Sequence, residues 1–497
     1  MNRLPTLDAV RTELRLRWPE WTAISVFAAV VAFVIPYHEP WTDEAQGWQL
    51  ARSLSLRSLF QTHIRYEATP GLWHFLLWIL IRARVSYTGM HWICGAIAVV
   101  AAGLLVFISP FPRYLKLTLP FTFFLVYQYA VIARGYLLVP LILFSIAVGW
   151  KKSPLVVAAL LGLLANCALH AAAISGGLAI VYFVEELRKG SARDPARRHK
   201  LLLCASIVLI FYVFALWTAW PPADMAGHIS FSRAARPSFL ISVLAAVLAP
   251  ICQPLILGFP FWIAMVLVFS FRRSISYLLP VLFFAVFSGV LPSSFWHWGM
   301  VVPLLISLLW ITWPAAGTSL SFYEFTGRAA LVYMAGVQIL WAAWAIDFDH
   351  FHAYSPDLAA AQFLKPLLKN GTRIGVTYLD KRHLPPDTSL GYGATGILPY
   401  FDRNIYINQT DPFYWWSDRN PSESQFDALL PSHPGIVLAE AQQAQFAPPI
   451  DLQGPRATLL MKSGYRITNV FCGSLPFAMQ ITLTDCHVIF QYAGHAP

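Results

Sequence analysis

Apolar residues run in long blocks from residue 21 to 346 and then largely stop. Uncharged blocks of this kind predict membrane-crossing helices, which need ~20 residues to traverse a hydrocarbon core of ~30 Å. The pattern places them near 21–37, 90–108, 117–132, 136–150, 154–168, 171–187, 201–219, 254–271, 276–292, 299–314 and 329–346. That is a bundle of about eleven transmembrane helices. Basic residues fall between the blocks: Arg11, Arg15 and Arg17, then Arg113 and Lys116, Lys151 and Lys152, the stretch 188–200, and Arg272 with Arg273. Cytoplasmic loops collect such charge. The N-terminus is therefore expected inside, and the chain after residue 346 outside. The first block lacks a small-residue cleavage site and is followed by others, so it reads as a span and not as a cleaved signal.

Two apolar stretches do not fit the alternation. Read as a span, "PGLWHFLLWILIRAR" (70–84) would put every later basic cluster on the outer side. It is expected instead as an interfacial helix, with Trp73 and Trp78 at headgroup level and Arg82 and Arg84 snorkelling. The stretch 238–254 takes the same reading. A long first outer loop, 38–89, follows. Residues 347–497 carry short strand patterns in "RIGVTYLD", "GIVLAE" and "HVIFQY", and a helix pattern in "SPDLAAAQFLKPLLKN" with Ser355 as its cap. The expected fold is an all-α polytopic membrane bundle (1–346) with an extracytoplasmic α/β or α+β domain (347–497).

Composition agrees. The chain is 57% hydrophobic and 12% charged, against about 25% charged in soluble domains. The net charge of +10 belongs to the loop clusters, so it points to a lipid bilayer and to no nucleic-acid partner. Cys94, Cys167, Cys204 and Cys252 sit in apolar blocks as packing residues. Cys472 and Cys486, outside the blocks, are expected to form a disulfide in an oxidising compartment.

Acids are scarce in the apolar region. Residues 21–346 hold nine, and Glu39, Asp43 and Glu44 fall within six positions just after the first block. On the expected topology, the outer face holds Glu39, Asp43, Glu44, Glu67 and Asp224. The stretch "TDEAQGWQLARS" has the composition of a helix start, with Thr42 as cap and Asp43 and Glu44 in the first turn. A solvated turn at the boundary is the other reading.

The order of a first span followed by "TDEAQGWQLARSLSLRSLFQTHIRYEATPGLWHFLLWIL" resembles the first outer loop of C-type, polyprenyl-phosphate-dependent glycosyltransferases, in the protein O-mannosyltransferase and lipid A aminoarabinose transferase branch. "YQYAVIARGYLLVPLILF" (127–144) resembles that family's Arg-x-Tyr turn. The resemblance implies a transferase at the plasma membrane, with a catalytic carboxylate at Asp43 beside Glu44 and a later acid at Glu67. It also implies Arg134 and Tyr136 near the donor. Where some relatives carry a phosphate-binding Lys, this chain has Ala68, which leaves the phosphate to Arg134, Arg65 or another base. No DxD occurs in the first two outer loops. A divalent ion, if used, would bind near Asp43 and Glu67, and no other cofactor is implied.

Sugar transfer from a polyprenyl-phosphate donor to a lipid, glycan or protein acceptor needs a base for the acceptor hydroxyl and a cation for the leaving phosphate. Asp43 suits the first task. Arg134 suits the second, although a snorkelling arginine is its plainer reading. Glu67 would orient the acceptor, hold a metal or balance an arginine. His170 and His297 are candidate donor contacts; a hydrogen-bonded boundary histidine and an aromatic-belt position are their plainer readings. His74 reads as structural. Arg233 and Arg236 are expected against lipid, and "DPFYWWSDRN" (411–420) fits either a domain core or a sugar-binding surface. Two other functions compete. A transporter or flippase of a lipid-linked or small polar substrate would need polar groups at mid-membrane, where the blocks carry almost none. A membrane-anchored scaffold leaves the first-loop acids without a role.

Overall fold

A computed structural model describes residues 16–190, 194–222, 238–291, 293–314, 321–369, 371–380, 394–409, 423–444 and 449–494. Arg11, Arg15, Asp224, Arg233, Arg236 and the stretch 411–420 lie outside the described residues.

The chain is mostly helical through residue 369. Among the described residues, four helices are long and apolar enough to cross a membrane: Gly89–Ile108, Leu169–Arg188, Pro195–Ala219 and Phe322–Phe351. Apolar helices of 10–17 residues accompany them, including Trp18–Val34 and Pro154–Ala165. The helices have chemical starts. Asp194 accepts the Ala196 N–H ahead of Pro195, and Ser321 accepts the Glu324 N–H, each satisfying an N–H that has no partner in the first turn. Helix Pro195–Ala219 exposes Leu209, Ile210, Val213 and Leu216 along one stripe. An uncovered apolar stripe of this length suits hydrocarbon and not water.

The expected span at 117–132 is not one helix. Helix Arg113–Thr118 passes into a 3-10 turn at Leu119–Phe121, then a π-helical turn at Phe124–Gln128. Pro120 lacks the N–H that a continuing helix needs. The segment is nonetheless deeply buried: Phe123, Phe124, Tyr127 and Tyr129 are all enclosed. Irregular backbone is tolerated at such depth where protein surrounds it.

Helix polarity sorts the charges. Gly89–Ile108 and Leu169–Arg188 begin near the first-loop acids or the cavity described below and run toward Arg113 and Arg188. Trp18–Val34 and Phe322–Phe351 run the opposite way, from Glu20 paired with Arg113 (3.0 Å) and Glu324 paired with Arg272 (2.7 and 2.5 Å). A 20-residue helix spans ~30 Å, so these pairs sit far from the acids at 39–44.

Helix Leu72–Arg82 forms where the interfacial helix was expected, but its contacts differ. Trp73 is buried inside the protein. Arg82 is exposed and also has partners within the protein. It donates to the carbonyls of Ala51 (2.8 Å) and Leu54 (3.1 Å), capping the C-terminal end of helix Thr42–Ser53. Those carbonyls lack helical partners and carry the negative end of the dipole.

The C-terminal part folds around a four-stranded sheet in the order β1-β2-β4-β3: β1 Ile374–Asp380, β2 Ile436–Ala444, β3 Tyr465–Phe477 and β4 Gln480–Tyr492. β1 and β2 are parallel, and the other pairs are antiparallel. Helix Asp357–Lys369 covers one face, and the Ser355 hydroxyl accepts the Asp357 N–H (3.2 Å) as the sequence predicts. Ala478 and Met479, both with φ above zero, make the two-residue β3–β4 turn. Such a turn matches the right-handed twist of its strands. Cys472 and Cys486 face each other across this hairpin and are disulfide-bonded. The hairpin tip is part of the helical core: Phe477 stacks on Phe295 (4.4 Å, 11° between planes) and packs near Phe123 and Trp341.

Candidate active site

Helix Thr42–Ser53 places the first-loop acids. Trp41 is its cap and Thr42 its first residue, one position earlier than the pattern suggests. The Glu44 carboxylate turns back to accept the Trp41 N–H (2.8 Å), which is half of a capping box. The helix does not lie open at an interface. Helix Leu72–Arg82 packs along it, and Arg52 reaches into the C-terminal part, donating to the carbonyls of Phe401 (2.9 Å) and Leu398 (3.4 Å). Close approach to the neighbouring helix needs Gly47, where an added methyl group would stand 3.3 Å from Leu77.

Asp43 and Glu44 point to different places. Glu44 is fully enclosed and accepts from four directions: Trp41 N, Ala133 N (2.6 Å), His91 Nε2 (3.0 Å) and His38 Nε2 (3.4 Å). His38 Nδ1 meets Asp349 (3.0 Å), and Tyr127 donates to the same carboxylate (3.1 Å). Burial alone would raise the pKa of Glu44, but hydrogen bonds from His38 and His91 hold it well below the usual carboxylate range. Burial disfavours the His38 imidazolium, yet Asp349 and Glu44 together outweigh it and push His38 up to about 10. Glu39, at the seam with Ser355, is pushed up to about 7 by burial. Glu44 is thus a clamp. It ties the first loop to the segment before Arg134, and it does not reach the cavity wall.

Asp43 does reach it. Its carboxylate pairs with the Arg134 guanidinium, at the wall of a cavity of about 430 Å³. Ligand sites typically enclose ~300–1,000 Å³. The guanidinium lies over the Tyr136 ring (4.9 Å) and near Trp296 (5.8 Å), an arrangement that favours a cation. The backbone N–H of Ser294 donates to His297 Nδ1 (3.1 Å). His297 Nε2 then carries the ring proton and donates to the Tyr136 hydroxyl (2.8 Å). The His170 ring lies tilted against His297, with ring centres 4.5 Å apart. Glu67, also on the wall, accepts from Gln46 (3.0 Å), and Ala68 beside it has φ of 45°.

The structure therefore gathers Asp43, Glu67, Arg134, Tyr136, His170 and His297 around one cavity. It leaves Glu44 behind the wall. It also sends Arg65 elsewhere, because the Arg65 side chain donates to the carbonyl of Trp220 (2.8 Å) and does not line the cavity. No known protein-family model and no curated protein matches this chain.

Asp43 and Glu67 do not make a metal cluster with a third ligand among the described residues. The residues close enough to share an ion are His38, Glu44 and His91, and all three are hydrogen-bonded to one another or to neighbours as above. The wall also holds residues to which the sequence reading gave no site role. His74 and Trp41 are there, and Gln442 and Leu483 arrive from the C-terminal sheet. Nothing local marks a residue on a strand some 300 positions away as part of the same cavity.

Proposed function

We propose that this chain is a membrane glycosyltransferase that moves a sugar from a polyprenyl-phosphate donor to a hydroxyl acceptor. The observation that carries the reading is the Asp43–Arg134 pair at the wall of a cavity of about 430 Å³. In the resting protein each partner neutralises the other. A donor phosphate competes for the guanidinium, which can take two phosphate oxygens in a fork. The Asp43 carboxylate is thereby released to accept a proton. The acceptor oxygen then bonds to the anomeric carbon as the bond from that carbon to the phosphate oxygen breaks. The hydroxyl proton passes to Asp43, and the electron pair leaves on the phosphate, held by Arg134.

Other features support the reading. The polar groups of the cavity collect at the end of the bundle opposite the Arg272–Glu324 and Arg113–Glu20 pairs. A donor could keep its tail among lipids while its headgroup enters. The disulfide in the C-terminal part suits an oxidising compartment, which supports a cavity end facing away from the cytoplasm. The steps above use Asp43 and Arg134 alone and route nothing through a metal.

The test is direct. Purified protein in detergent or nanodiscs is incubated with a panel of polyprenyl-phosphate sugars, and free polyprenyl phosphate is measured. Release by wild type and its loss in Asp43→Asn are expected. No release from any donor by a well-folded wild type would overturn the proposal.

A further inference from the structure

Residues of the cavity wall carry buried polar atoms without a hydrogen-bond partner in the protein. His74 is 4% exposed, and neither of its ring nitrogens has a hydrogen-bond partner. His170 is also 4% exposed, and its Nε2 has none. Both line the cavity. Buried polar atoms in folded proteins are nearly always paired, so two such imidazoles on one wall ask for a partner that enters the cavity.

The position of each ring is fixed. His170 lies tilted against His297 and meets Phe284 and Phe287 edge-on. His74 is held on helix Leu72–Arg82, and its Nε2 faces Gly47 on the neighbouring helix. A methyl group added at Gly47 would stand 3.7 Å from that nitrogen. Glycine in a helix is unfavourable by about 1 kcal/mol against alanine, and here it lets the two helices approach closely beside His74. These rings are not drawn into the Asp43–Arg134 pair or the Glu67–Gln46 bond, which already engage the charged wall groups.

We propose that His74 and His170 form the sugar subsite of this cavity and hydrogen-bond the hydroxyls of a neutral hexose or pentose. The inference rests on the donor reading above. A neutral imidazole offers one donor and one acceptor, and a sugar hydroxyl needs both. An ammonium group on the sugar would instead seek a carboxylate, which neither imidazole supplies. Trp296, on the same wall, offers an aromatic face and an indole N–H without a partner in the protein. A sugar ring has complementary apolar and polar faces. The division of labour is then spatial: Arg134 holds the phosphate, and the two histidines hold the sugar.

The test separates these parts. Binding is measured for a short-chain polyprenyl phosphate, bare and carrying a glucosyl, mannosyl or arabinosyl group. Wild type should bind at least one glycosylated form more tightly than the bare lipid. His74→Ala and His170→Ala should each weaken that form several-fold to about tenfold, the range for lost neutral hydrogen bonds, while bare-lipid affinity stays unchanged. His74→Gln, which keeps a donor and an acceptor, should recover part of the loss. Arg134→Ala should weaken every ligand. Bare-lipid binding also reports that each variant is folded, because a purely structural histidine would lower both affinities together. Equal loss for bare and glycosylated lipid overturns the subsite, and so does no loss at all, with the donor reading left standing. Failure of wild type to bind any of the lipids removes both readings.

Discussion

At the scale of single residues, two adjacent acids have separate tasks. Asp43 faces the cavity and Glu44 faces the interior. Asp43→Asn is expected to reduce turnover by ~10²–10⁴, the range for a lost general base, with the unfolding midpoint unchanged. Steady-state assays beside thermal melts check this, and near-normal turnover would remove Asp43 from the mechanism. Arg134→Ala should weaken donor use by about tenfold to a hundredfold, as for a lost charge-assisted bond. Arg134→Lys should recover only part, because an ammonium lacks the planar fork. A lysine variant equal to wild type would show that charge alone matters. The Glu44 network gives a different signature. Removing His38 breaks a buried pair, which typically costs ~3–5 kcal/mol. Its folded pKa of about 10 lies above the ordinary 6.5. The stability it contributes is therefore fully present below about pH 6.5 and is lost as the pH rises through about 10. The gap in melting temperature between wild type and His38→Gln should be widest near pH 6 and narrow toward pH 10. A gap that does not change with pH would mean His38 is not charged in the folded protein.

At the scale of elements, the β3–β4 hairpin is the piece that joins the two parts of the molecule. Its strands are tied by Cys472–Cys486, and its tip carries Phe477 into the helical core. Replacing both cysteines by serine should lower stability by ~3 kcal/mol for a closed loop of about this length. Phe477→Ala should lower it by ~3–5 kcal/mol, as for other buried phenylalanines. Chemical denaturation in a fixed detergent measures both. Little change in the Phe477 variant would mean the tip rests against the bundle without being packed into it. The helix Thr42–Ser53 shows the same logic in miniature. Its first turn is closed by Glu44, its last by Arg82, and Gly47 sets its distance from helix Leu72–Arg82.

At the scale of the whole molecule, the cavity exists only because distant parts meet. Its wall draws on the first loop, the segment around Arg134, the start of helix Leu169–Arg188, the residues near His297 and two residues of the C-terminal sheet. Arg52 reinforces that meeting by donating to the carbonyls at 398 and 401. Arg52→Ala should therefore speed amide hydrogen exchange across 394–401 by about tenfold or more, since bonds from charged donors contribute ~1.5–3 kcal/mol. Unchanged exchange there would show that the C-terminal part is held without Arg52.

Sequence by itself determined what depends on local pattern. Uncharged blocks made apolar helices, strand patterns located three of the four strands and missed β3, and two cysteines apart from those blocks found each other. It also named Asp43 and Arg134, which lie 91 positions apart and proved to be ion-paired. The helices and strands follow from periodicity and composition, which each segment carries alone; Asp43 and Arg134 come from the resemblance of two stretches to the glycosyltransferase family. Tertiary structure decided the rest. Pro120 and the enclosed aromatics after it turned an expected span into broken turns, because packing stabilised a backbone that the apolar pattern read as one helix. Glu44 became a buried clamp because Ala133, His91 and His38 converge on it from other elements. Arg65 turned to the Trp220 carbonyl and away from the cavity. His74, which reads as structural on its own helix, came to line the cavity with both ring nitrogens unpartnered. Which side of a helix meets which neighbour is set by the joint packing of many segments, and no single segment encodes it.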